Sequence, residues 1–97
     1  MKYHTGRRFG LDEVRQSKIY WMLLDLQNEP GHIRDKVNWI IMDVGGMYAG
    51  VLRQAVLTRE SVTAIALRTN GTATPIDPSD LAKMVKRVYI ELDKTLP

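Results

Sequence analysis

The chain has 97 residues, 44% of them hydrophobic and 26% charged, with no cysteine and a formal charge of +3. This length holds one domain and excludes a two-lobed enzyme; the composition excludes a disordered or fibrous protein, and the lack of thiols excludes disulfides, thiolate nucleophiles and thiolate metal sites. The charge is uneven, since residues 1–18 carry Lys2, Arg7, Arg8, Arg15 and Lys18 against Asp12 and Glu13 alone.

Residues 1–10 combine Gly6 and Gly10 with basic side chains and show no apolar periodicity, so they read as a flexible basic arm ahead of a single helical domain over 11–97. No apolar segment follows the arm's basic residues, and the densest apolar stretch, IYWMLLDL at 19–26, is too short to cross a bilayer. A cytoplasmic protein without a membrane partner is therefore expected. The first predicted helix covers about 11–28, with Leu11, Val14, Ile19, Met22, Leu23 and Leu26 toward one side. Asp12 and Glu13 in its first turn suit the helix dipole, and Pro30-Gly31 stops it.

A second helix is predicted over 32–57 from a stripe at Ile33, Val37, Ile40, Ile41, Val44, Met47, Tyr48, Val51, Leu52, Ala55 and Val56. Gly45, Gly46 and Gly50 lie within it, each costing a helix interior roughly 0.5–1 kcal/mol relative to alanine. The expected compensation is a strip of small residues, spaced Gly45 to Ala49 and Gly46 to Gly50, against which another helix packs closely; a kink at Gly45-Gly46 is the alternative. The stretch Asp43, Val44, Gly45, Gly46 resembles the phosphate turn of sugar-kinase and actin-like ATPases. Met47 stands where that turn has a hydroxyl residue, and the chain is too short for the two lobes of such a fold, so no nucleotide site is expected.

The segment 59–69 is predicted as a short helix capped by Thr58 and terminated at Asn70 or Gly71. Its alternative is a β-hairpin around Asn70-Gly71, pairing 62–69 with 72–76. The last helix, over 78–95, has Asp77 or Ser79 as cap, Pro78 in its first turn, and Leu81, Met84, Val85, Val88 and Leu92 on one face. The fold class is thus all-α, a small bundle of three to four helices.

Chemistry-bearing patterns are sparse. His4 and His32 have no companion ligands at metal-site spacing, Ser17, Ser61 and Ser79 have no neighbouring base motif, and Asp25 and Asp43 read as hydrogen-bond acceptors at the edges of apolar faces. No enzyme, cofactor, metal or catalytic residue is expected. The apolar helix surface, in contrast, exceeds what one intramolecular interface of so small a domain covers. That excess points to a protein-protein interaction or regulatory module, homo-oligomeric, binding through Trp21, Trp39, Gly46, Tyr48 and Gly50. The alternative is a small nucleic-acid-binding regulator, in which Lys2, Arg7 and Arg8 beside Tyr3 and Phe9 would act with Lys83, Lys86 and Arg87 on the last helix.

Overall fold

The computed structural model describes residues 11–95. The arm, with Lys2, Arg7 and Arg8, lies outside the described residues. The described part is helical, with no strand: α1 (Glu13–Leu24), α2 (Gly31–Gly45), α3 (Ala49–Leu57), α4 (Val62–Leu67) and α5 (Pro78–Thr95), joined in part by 3-10 turns at Leu26–Asn28 and Gly46–Tyr48. The all-α class is therefore observed. Side chains from every helix meet in one core, whose fully buried centre is Ile19, Leu23, Val37, Ile41, Leu52, Ile65, Leu81, Val88 and Leu92.

Local chemistry sets most of the boundaries. Asp12 caps α1 by accepting from the Arg15 amide at 2.8 Å, and Ser61 caps α4 by accepting from the Ala64 amide at 3.0 Å. Asp77 does the same for α5, accepting from the Ser79 amide at 3.0 Å and, more closely, from its hydroxyl. That contact with the Ser79 hydroxyl is the largest reason the Asp77 carboxyl is held below its ordinary value; the Ser79 amide and nearby Lys83 add to it. At the other end of α5, Arg15 ties α1 to the last turns, its Nε donating to Asp93 Oδ1 at 2.5 Å and its guanidinium to the Asp93 carbonyl at 3.0 Å.

Three expectations need correction. The first is the continuous helix over 32–57, which breaks at Gly46 (φ 54, ψ −123), a conformation that a Cβ makes costly. Beyond the break the chain doubles back: Arg53 donates to Asn38 Oδ1 at 2.5 Å, although a straight helix would hold these residues about 22 Å apart. The glycines consequently have three different roles. Gly45 is the close-packing one, since a Cβ there would lie 3.1 Å from Leu52 Cδ2 and 3.5 Å from Ala49 Cβ. Gly46 is the break, and Gly50 faces open space, so neither belongs to a packing strip.

The second correction concerns 59–76. The helix is shorter than predicted and is capped by Ser61; Thr58 instead donates its hydroxyl to the Gln54 carbonyl at the end of α3. A hairpin turn at Asn70-Gly71 needs positive φ at both residues, and only Gly71 has it (φ 82). The loop is closed from within by Thr69, a buried residue whose hydroxyl donates to the Ala66 carbonyl at 2.6 Å and accepts from the Ile76 amide at 2.9 Å. The third correction is the face of α1. Val14 is 80% exposed, and Gln16 takes the inward position between Asp12 and Ile19, with no donor to its Oε1 among the described residues.

The apolar content of 31–57 is also greater than a search for uninterrupted runs reveals. Taken as one 27-residue stretch, Gly31–Leu57 is apolar enough to cross a membrane by length and composition, with a mean hydropathy of 1.3 in its best window, of which 28% is buried. The break divides it into helices of 15 and 9 residues. These are about 22 and 14 Å long, each shorter than a bilayer core of about 30 Å. Much of this apolar surface therefore faces outward on a folded-back helix pair, which is where a site has to be sought.

Candidate protein interface

Helix α2 packs on α3 and α5 through Val37, Ile40 and Ile41, with Ile33 and Val44 at the edge of the core. At about 100° per residue the opposite face carries Asp35, Lys36, Trp39, Met42, Asp43 and Gly46, all exposed. Trp39 and Met42, one turn apart, are each 63% exposed, and Met47 just past the break is 72% exposed. Burying a methionine side chain is worth about 1.5–3 kcal/mol and a tryptophan more, so this face holds several kcal/mol of unrealised hydrophobic stabilisation. Its charges are not satisfied internally either: among the described residues Asp35, Lys36 and Asp43 enter no ion pair.

The five residues expected to form one binding surface do not converge. Trp39 and Gly46 share the outward face of α2. Trp21 stands on α1, a helix that packs on α3 and α5. Its ring is covered by the Arg59 guanidinium, 5.4 Å from the centroid, and touched edge-on by Tyr20 at 5.2 Å, contacts that together hold a half-exposed ring in place. Tyr48 turns toward the other side, where its hydroxyl donates to the Pro75 carbonyl at 3.4 Å. Gly50 is exposed in the first turn of α3, with open space where a Cβ would stand.

Tyr48 belongs to a second feature, an open groove of about 340 Å³ between the α2–α3 turn and the start of α5. Val44, Tyr48, Ile76 and Met84 give it apolar walls, and Asp77, Asp80, Lys83 and Arg87 edge it. The acidic and basic edges balance, so the groove has no charge preference. Lys83, Lys86 and Arg87 do lie side by side on the exposed face of α5, without an ion pair among the described residues. They are the part of the nucleic-acid alternative that the described residues include.

Groups with acid-base potential are dispersed. Asp25 and Asp43 are both exposed, and Asp25 accepts from Asn28 Nδ2 at 2.6 Å, so the two carboxylates do not form a buried pair. His32 is exposed in the first turn of α2, and among the described residues no three His, Asp or Glu side chains gather as metal ligands would. The residue that sequence reasoning missed is Met42. Its signal was present: positions 35, 39, 42 and 46 lie on one helical face opposite the stripe, and a tryptophan and a methionine on a face assigned to solvent mark it. No family model matches the chain, and no curated protein and no solved structure matches it either.

Proposed function

We propose that the chain is a non-enzymatic protein-interaction or regulatory module of the cytoplasm that binds a partner protein through the outward face of α2. One observation carries the reading. Trp39 and Met42 stand together at 63% exposure on a helix whose other side packs into the core, at the centre of a face whose Asp35, Lys36 and Asp43 enter no ion pair among the described residues. Tryptophan and methionine are enriched at interfaces, and a contiguous apolar patch with a charged rim is the usual form of a docking site. Relative to the residues expected from sequence, the face keeps Trp39 and Gly46, adds Met42, and leaves Trp21, Tyr48 and Gly50 in other surroundings. A photo-crosslinking amino acid placed at position 39 in cells tests the reading. A discrete protein adduct is expected there and not from the same group at position 18 on α1. Absence of any adduct at position 39 would overturn it.

A second reading has its own observation, the adjacent Lys83, Lys86 and Arg87 on α5. In it these residues and the basic arm hold a nucleic-acid backbone. Retention on a DNA or RNA column that falls steeply with salt, and is lost when Lys86 and Arg87 become glutamate, would favour it. Retention unaffected by that change would remove it.

A further inference from the structure

We infer that the occupant of the α2 face is a second copy of this chain, packed so that the two α2 helices run antiparallel across a twofold axis beside Trp39. The inference rests on the reading just given and adds the identity and geometry of the partner. Its basis is the self-complementary placement of charge around the apolar pair. Lys36 and Asp43 lie two turns apart on α2, about 10.5 Å along the axis, with Trp39 between them on the same shoulder of the helix. Both are exposed and neither enters an ion pair among the described residues.

Twofold symmetry makes every contact occur twice. In an antiparallel pair, the register that sets Lys36 against the partner's Asp43 also sets Asp43 against the partner's Lys36. It brings the two Trp39 side chains within one residue of the axis, where they stack on each other. The other shoulder carries Asp35, Met42 and Gly46. There Met42 covers the flank of the tryptophan pair, and Asp35 falls beside the partner's Gly46. The missing side chain leaves room at that point, and the partner's Asp43 is on the opposite shoulder, so no like charges meet. In a parallel twofold pair each shoulder instead faces the opposite one, so Lys36 meets the partner's Asp35 while Asp43 is set beside the partner's Met42 with no cation opposite. The antiparallel register is favoured because it pairs the charges on both sides of Trp39 and leaves Asp35 beside a glycine.

The experiment is sedimentation equilibrium on the full chain, with far-UV circular dichroism to confirm that each variant keeps its helices. The wild type is expected to dimerise, and Trp39→Ala to weaken the dimer. Lys36→Glu alone turns both ion pairs into like-charge contacts, as does Asp43→Lys alone, and each should weaken self-association on the order of tenfold. An equimolar mixture of those two single variants regains both attractive pairs across a heterodimer, and so does the double variant with itself. Recovery of the dimer in the mixture supports the antiparallel arrangement; loss in the single variants without recovery overturns it. A dimer indifferent to Trp39→Ala and to both reversals places self-association on another surface and overturns the inference. A wild type that stays monomeric while position 39 still crosslinks to a different protein overturns it too, but leaves the interaction-module reading standing. A monomer with no adduct removes both.

Discussion

Gly46 and Gly50 look equivalent in the sequence, four residues apart in one apolar stripe, yet alanine at the two positions should act in opposite directions. At Gly46 the backbone holds φ 54 and ψ −123, and a Cβ would touch nothing within 4 Å. The cost of Gly46→Ala is therefore purely conformational, about 1–3 kcal/mol for a side chain forced into that region. Gly50 also has open space at its Cβ, but it sits in helical backbone in the first turn of α3. Gly50→Ala relieves the glycine penalty and should stabilise by about 0.5–1 kcal/mol. The two variants are thus separated by about 1.5–4 kcal/mol. At roughly 4–8 °C per kcal/mol for a domain of this size, that is a difference in Tm of at least several degrees. Gly45→Ala falls between them, because its helical gain is offset by Leu52 Cδ2 at 3.1 Å, a side chain that is fully buried and has nowhere to move. Urea unfolding followed at 222 nm measures all three. A Gly46→Ala variant as stable as Gly50→Ala would mean that the helix runs through the glycines, and the doubled-back pair with its Arg53–Asn38 bond would have to be abandoned.

Other consequences are open to similar measurements. Thr69→Val leaves the Ile76 amide without its acceptor inside the fold, and should cost about 1–3 kcal/mol together with faster hydrogen exchange at that amide. Gln16→Met replaces a buried side chain whose Oε1 has no donor among the described residues by an apolar one of similar shape; thermal unfolding should show a gain on the order of 1 kcal/mol, and a loss would indicate that the amide is satisfied. Asp77, ordinarily titrating near 3.8, is held lower by the Ser79 hydroxyl first of all. Its contribution is present above that ordinary value and is lost as pH falls through the lowered one. Asp77→Asn should accordingly flatten the decline of Tm as pH falls below the ordinary carboxylate value, and an unchanged acid decline would remove Asp77 as a contributor.

The last helix was legible to the residue, since Asp77, Pro78 and Ser79 give its start three independent signals and its stripe is uninterrupted up to Leu92. The break at Gly46 was legible only as the alternative of a kink at Gly45-Gly46, for a physical reason. Apolar residues on the two sides of the glycines keep three- and four-residue steps in the linear sequence, so the stripe runs on although the chain reverses at Gly46 (φ 54) and the 3-10 turn after it winds at about 120° per residue instead of about 100°. Met47 shows the consequence: it continues the stripe on paper and is among the most exposed apolar residues in space. Around Asn70-Gly71 the dipeptide was informative about Gly71 only, because helix termination and hairpin formation both use a glycine at positive φ. The candidate face was half legible. Trp39 was found by residue type, while Met42, whose place opposite the stripe the spacing already gave, was passed over because interface hot spots favour tryptophan, tyrosine and arginine by type. Trp21 was equally prominent by type, but its partner Arg59 lies far along the chain and no local pattern foretells it.

The clasp between Arg15 and Asp93 joins residues 78 positions apart. Helices α1 to α4 can begin to pack on one another as they leave the ribosome, but the clasp cannot close until Asp93 has been made. At translation rates of 5–20 residues per second that interval is roughly 4–16 s, far longer than helix formation or collapse takes. During that time α1 has its contacts with α3 but not those with α5, so the apolar surface that α5 covers stays open and early chaperone contact should end when α5 docks.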